Sequence, residues 1–169
     1  MKHVLRREQI VQKPLREVFD FFERPENLSR ITPASLGFSI LTPGPIVMRV
    51  GTLLDYQIRL LGIPVRWRTL ITAYDPPFRF TDEQLRGPYD FWHHTHTFEE
   101  ISGGTRLRDE VHYAMGMGPL GGLLNTLYVK RSLARIFDHR AAVIADYFAR
   151  IQEGTELTSG TGKSNGGRP

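Results

Sequence analysis

"FWHHTHTFEEISGGTRLRDEVHY", residues 91–113, alternates apolar and polar side chains on both sides of a Ser-Gly-Gly turn. Alternation of this kind marks a half-buried strand, and two such runs joined by a short glycine turn predict an antiparallel hairpin. Trp92 and Phe98 hold even positions, so His94 and His96 face inward with them, and His93, Thr95 and Thr97 face out. Two registers are open. One sets Phe98 opposite Leu107, His96 opposite Asp109, His94 opposite Val111 and Trp92 opposite Tyr113. The other sets Phe98 opposite Asp109. The inward direction of the two histidines is common to both, whereas the His96–Asp109 pair belongs to the first alone.

The pattern extends outward on both sides. "HVLRREQIV" reads as a first strand. "PLREVFDFFER" follows as a helix opened by Pro14, with Leu15, Val18, Phe19 and Phe22 at i, i+3, i+4, i+7 spacing. "PENLSRITP" is a second short helix bounded by prolines. "GFSIL", "GTLLDYQIRLL", "VRWRTLITAYD" and "FRFTDEQL" are strands separated by "TPGP", "GIP" and "DPP". A hairpin through "GIP" pairs Leu60 with Val65, Ile58 with Trp67, Tyr56 with Thr69 and Leu54 with Ile71 on one apolar face. The opposite face carries Arg59, Arg66 and Arg68, either solvated or in contact with an anionic surface. Asp82 and Gln84 share the parity of Phe80, but the "GPY" turn leaves open whether they or Glu83 point inward.

From Ser132 onward, Leu133, Ile136, Phe137, Val143, Ile144, Tyr147, Phe148 and Ile151 form one helical stripe, with Arg140 near its middle. Leu120, Leu123, Leu124 and Leu127 point elsewhere, which predicts a break around Val129 to Ser132. An arginine inside an apolar stripe needs an acidic or anionic partner, or a stem long enough to reach water. The order is strand, two helices, six strands, long helix: an α+β domain with about seven strands. A long helix over a curved antiparallel sheet leaves an elongated apolar cavity. Its expected lining is Tyr56, Trp67, Trp92, Tyr113 and Phe137, with His94, His96, Asp109 and Arg140 as polar points.

At 169 residues, with 40% hydrophobic and 24% charged, the chain suits one globular domain. Twenty-two basic and 18 acidic side chains give a net charge of +4, which does not call for nucleic acid. The absence of cysteine excludes disulfides, thiolate metal sites and a cysteine nucleophile. No signal core or transmembrane run is present, so a cytoplasmic location is expected. The domain is read as 1–152, followed by a flexible tail at 153–169 that is rich in Gly, Ser and Thr. The glycines of "MGMGPLGG" lack the lysine of a phosphate loop and suit a gate. The leucines from Leu120 to Leu127 read as a transient membrane contact or as a packed amphipathic turn.

The run "GIPVRWRT", "DPPFRFTDEQLRGPYDFWHHTHTFEE", "GGTRLRDEVHY" and "RIFDHR", with the order of elements, resembles the START-like, polyketide cyclase/dehydrase (SRPBCC) superfamily of helix-grip proteins. It is similar to an uncharacterised bacterial ligand-binding branch, some of whose members are labelled cell-division inhibitors. The resemblance spans about residues 3–150. It matches at Trp67, Asp82, Gln84, Trp92, His94, His96, Asp109, Tyr113 and Arg140, and it implies an internal ligand site without supplying a reaction.

Three functions are then expected to compete. The first is binding or carriage of a hydrophobic or amphipathic, lipid- or polyketide-like molecule. The second is an aromatase/cyclase or dehydratase in which His96 and Asp109 move protons and Arg140 steadies an enolate. The third is an interaction protein using the basic outer face. His94-x-His96 offers two imidazoles on one strand face with Asp109 as a third ligand. With no second HxH and no HExxH, neither a metal nor another cofactor is expected.

Overall fold

The computed structural model describes residues 2–116 and 128–159, with side chains described as far as residue 151. Strand β1 (Lys2–Val11) leads into α1 (Leu15–Phe22), a 3₁₀ turn and α2 (Leu28–Ile31). Six strands follow: β2 (Ser39–Ile40), β3 (Leu53–Leu60), β4 (Ile63–Asp75), β5 (Arg79–Arg86), β6 (Phe91–Ile101) and β7 (Gly104–Ala114). The last element is α3 (Lys130–Ser159). All strands join one antiparallel sheet in the order β1-β7-β6-β5-β4-β3-β2, so the α+β architecture is the one the patterning predicts. Register irregularities between β4 and β5, at Arg68/Thr69 and Ile71/Ala73, accompany the sheet's curvature around the helices.

Strands β6 and β7 adopt the first of the two registers: Trp92 faces Tyr113, His94 faces Val111, His96 faces Asp109 and Phe98 faces Leu107. The turn is the two-residue Ser102-Gly103, and Gly103 sits at φ +84°. A side chain at Gly104 would run into the Val11 carbonyl, so glycine there lets β1 close on β7.

The β3–β4 hairpin differs from the expected one. Leu60 pairs with Ile63, Ile58 with Val65, Tyr56 with Trp67 and Leu54 with Thr69, two residues away from the predicted register. Leu61 and Gly62 form a tight turn at φ 52° and 81°, so proline at position 64 lies inside β4 and not in the loop. A shift of two preserves the face of every side chain, and Ile58, Trp67 and Ile71 are buried as expected. Leu61 is 78% exposed and carries a branched side chain in the left-handed region. Leu61→Asn is expected to stabilise the fold by about 1 kcal/mol, read as a raised denaturant midpoint with unchanged slope.

In α1 the apolar spacing buries Leu15, Val18, Phe19 and Phe22, and Phe21 as well. Along α3, Leu133, Phe137, Arg140, Ile144 and Phe148 are buried in one stripe. A wider i→i+5 turn at Tyr128 and Val129 precedes it, where the change of stripe predicts a break. The expected gate and membrane-touching leucines from residue 117 on, and the side chains of the expected tail, lie outside the described residues. Among the described residues, no helix is long and apolar enough to cross a membrane.

The interior has two apolar clusters. One joins Phe19, Phe21, Phe22, Phe80, Phe98, Leu107, Ile144 and Phe148. The other joins Ile58, Trp67, Trp92, Val111, Tyr113, Leu133 and Phe137.

Candidate functional site

The hairpin parity and the α3 stripe bring four polar groups together between these clusters. His94, His96 and Asp109 are 5%, 3% and 6% exposed, and Arg140 is 9% exposed. The strand register places a fifth group beside them, because Asp82 on β5 sits opposite His94. Asp82 therefore points in, while Glu83 points out to His93 Nδ1 at 2.9 Å.

Each imidazole lies between two carboxylates. His94 Nε2 is hydrogen-bonded to Asp109 Oδ1 at 3.0 Å, and its Nδ1 is 3.4 Å from Asp82 Oδ2. His96 Nε2 is hydrogen-bonded to Asp82 Oδ2 at 3.2 Å, and its Nδ1 is 2.9 Å from Asp109 Oδ1. Arg140 Nη2 lies 3.4 Å from His96 Nδ1 and 3.7 Å from Asp109 Oδ1. Trp92 Nε1 donates to the other oxygen of Asp82 at 3.3 Å. Aromatic faces enclose the group. Phe80 stacks on His96 at 4.1 Å, Phe137 meets His94 edge-on at 5.6 Å, and the Arg140 guanidinium lies over Phe22 at 5.2 Å.

Burial opposes charge on every member, and the neighbours decide which keep it. For Asp109, burial is outweighed by the Arg140 charge and the hydrogen bonds of both histidines, which hold its carboxyl well below the ordinary range. For Asp82, burial is likewise outweighed, by the charge of His94 and the hydrogen bond of His96, and the carboxyl is lowered. His94 goes the other way. Burial and the adjacent His96 lower it, against the pull of Asp82 and Asp109.

This group forms one wall of a cavity of about 350 Å³. Tyr56, Trp67, Trp92, His94, His96, Phe137 and Arg140 all line it, as does Asp82. Asp109 stands behind the histidines and is not among the lining residues. Two other expected contacts also lie elsewhere. Gln84 turns to the β5–β6 connection, where its amide donates to the Tyr89 carbonyl at 2.5 Å and its oxygen accepts from the Tyr89 N–H at 3.3 Å. It therefore positions Tyr89, which does line the cavity. Tyr113 is 2% exposed and packs edge-on against Tyr89 at 5.9 Å, behind the wall. Asp82 is the residue on which the sequence alone is ambiguous. Its parity with Phe80 is the available signal, and the turn length that fixes it depends on Gln84 bracing Tyr89.

Two buried donors on lining residues, Trp67 Nε1 and Arg140 Nε, have no hydrogen-bond partner among the described residues. Tyr56 bonds the hydroxyl of Thr69 at 3.3 Å and stacks on Trp67, and burial raises its phenol far above the usual value. The site can therefore hold an apolar molecule and present donors to an oxygen on it.

Comparison with known proteins agrees with this architecture. The TTHA0849 protein of Thermus thermophilus superposes with a TM-score of 0.70 at 18% identity, over 88% of this chain and 99% of that one. The Ms6760 protein of Mycobacterium smegmatis gives 0.65 at 18% identity over 88% and 92%. The major latex-like protein 151 of Panax ginseng gives 0.65 at 12% identity over 87% and 97%. At these identities the likeness is one of fold. No curated protein sequence matches the chain. The model of the family described as "Polyketide cyclase / dehydrase and lipid transport" matches residues 11–137, from the end of β1 to Phe137 on α3. This chain belongs to that polyketide cyclase/dehydrase and lipid transport family.

Proposed function

We propose that this protein binds and carries a hydrophobic or amphipathic small molecule that bears an acceptor oxygen. The observation that carries this reading is the cavity itself: about 350 Å³ with mainly aromatic and aliphatic walls, and one polar wall. That volume lies in the range of roughly 300–1,000 Å³ typical of small-molecule sites. The unpartnered donors of Trp67 and Arg140 select the oxygen, because a buried N–H left without an acceptor costs free energy that a ligand oxygen relieves.

Both tryptophans of the chain line the cavity, so their fluorescence reports occupancy directly. Protein purified from cells and extracted with organic solvent is expected to release a stoichiometric apolar molecule, and returning it should shift the emission. Trp67→Phe is expected to weaken an oxygen-bearing ligand by about 2- to 10-fold, the worth of one neutral hydrogen bond, and to leave its hydrocarbon analogue unaffected. An empty extract, together with unchanged emission across a panel of fatty acids, sterols and aromatic polyketides, would remove the proposal.

One observation favours a second reading, an enzyme of the cyclase or dehydratase kind. His96 lines the cavity with a carboxylate oxygen near each of its ring nitrogens, an arrangement that can move a proton at a bound carbonyl compound. Since Asp109 is behind the wall, Asp82 is the carboxylate nearer the substrate. Under this reading His96→Gln abolishes turnover of an identified ligand while retaining its binding.

A further inference from the structure

Three ligand atoms converge in the polar wall from different positions in the sequence. One atom each from Asp82, His94 and His96 lies within 4.8 Å of the other two. Asp82 Oδ2 is 3.4 Å from His94 Nδ1 and 3.2 Å from His96 Nε2. A tetrahedral ion with ligand bonds of about 2.1 Å separates its ligand atoms by roughly 3.4 Å, so these spacings suit a shared ion with little movement.

The surroundings of the three groups match what such a site requires. Metal-bound imidazoles donate their remaining N–H to a carboxylate or carbonyl, which fixes the tautomer. The far nitrogens both lie near Asp109 Oδ1: His94 Nε2 is hydrogen-bonded to it at 3.0 Å, and His96 Nδ1 is 2.9 Å from it with Arg140 Nη2 3.4 Å away. With the N–H of His94 on Nε2, bonded to Asp109, its Nδ1 lone pair lies 3.4 Å from an oxygen of Asp82. That contact is repulsive unless a proton or a metal cation sits between them. The second oxygen of Asp82 is held by Trp92, which leaves Oδ2 as a single ligand atom. Charge agrees. Two carboxylates and one guanidinium leave the buried group at −1 when both imidazoles are neutral, and a divalent ion converts this to +1, ready for one anionic or polarised oxygen. Asp82 keeps 16% of its side chain exposed and lines the cavity with both histidines, so a further coordination position opens there.

We propose that Asp82, His94 and His96 bind a divalent transition-metal ion of zinc or ferrous type, supported by Asp109 and Trp92 and open on one side to the cavity. Two imidazoles and one carboxylate are a ligand set of intermediate softness, which favours such ions over calcium or magnesium. A metal here departs from the expectation of none, which rests on a single HxH without a second HxH or HExxH and considers Asp109 as a third ligand. In the proposed site Asp82 takes the ligand place and Asp109 the supporting one.

The site is tested with the metal alone. Full-length protein treated with EDTA and titrated with Co²⁺ is expected to develop the intense visible absorption of a low-coordinate ion, saturating at one equivalent and lost on adding Zn²⁺. Asp82→Asn and His94→Gln, each checked for folding by circular dichroism, are expected to lose that absorption. Asp109→Asn should weaken Zn²⁺ binding by about 10- to 100-fold while preserving the spectrum. His93→Ala, on the outer face, should change nothing. Absorption no stronger than that of the aqueous ion would overturn the proposal, as would full binding in folded Asp82→Asn or in His94→Gln. Because no organic ligand enters the measurement, its failure leaves the carriage reading intact, and an empty solvent extract leaves the metal site intact.

Discussion

Asp109→Ala is expected to cost about 3–5 kcal/mol of folding stability, since it removes one partner from a buried set of charges. The carboxylate has 7% of its side chain exposed and touches His94, His96 and Arg140 within 3.7 Å. Without it, the guanidinium is left among Phe22, Phe137 and the His96 ring, surroundings that do not replace the lost carboxylate. The double variant Asp109→Leu/Arg140→Met deletes both charges and is expected to recover much of the loss, because the desolvation cost of each ion also disappears. Denaturant midpoints of the two variants measure the difference, and an Asp109→Ala protein within 1 kcal/mol of wild type would rule out the coupling, the threshold being about the median worth of an exposed ion pair. Acid provides a second readout on EDTA-treated protein. Folding holds the Asp109 carboxyl well below its ordinary 3.8, so its contribution is complete above the unfolded value and is lost as pH falls towards the folded one. Below about pH 4 the wild type should therefore lose stability more steeply than Asp109→Asn.

Phe19→Ala is expected to be of similar size, about 3–5 kcal/mol, for a different reason. Phe19 is fully buried and sets its ring against Phe98 at 5.2 Å, Phe80 at 6.2 Å and Tyr74 at 6.1 Å. Together with Phe22, which meets Phe98 at 5.3 Å, it fixes α1 to the middle of the sheet. Alanine removes that aromatic area and leaves a cavity that the strands, held by their ladders, cannot collapse to fill. Equilibrium unfolding in urea should show a lower midpoint at unchanged slope. A loss below about 1 kcal/mol would mean that α1 is not anchored there, since truncating a well-packed core phenylalanine costs several times that.

The fold is legible because most of its information is local. Alternation in β6 and β7 determines which way His94 and His96 point, and the apolar stripe of α3 puts Arg140 on the same interior. What stays hidden depends on turns. The β3–β4 register is displaced by two residues from the expected one because Leu61, a residue that disfavours positive φ, occupies a place where asparagine would have announced a two-residue turn. Asp82 is ambiguous because the β5–β6 connection is set by a side chain, Gln84, bonding the backbone of Tyr89. Parity likewise assigns Tyr113 to the interior and leaves Gln84 open, and neither lines the cavity: Tyr113 is buried behind its wall and Gln84 braces Tyr89. Parity tells inside from outside, but not the hollow part of an interior from the filled part.

The division of the interior into a phenylalanine-rich cluster and a tryptophan-lined chamber has a consequence for how such a chain can diversify. Phe21, Phe22, Ile71 and Phe80 of the first cluster also line the chamber, so they both secure the architecture and meet the cargo, whereas Phe19, Phe98, Leu107, Ile144 and Phe148 stand behind it. Substitutions around Tyr56, Trp67 and Trp92 can reshape the chamber for new occupants while the packed end goes on holding the scaffold, so specificity is free to drift without the chain losing its ability to fold.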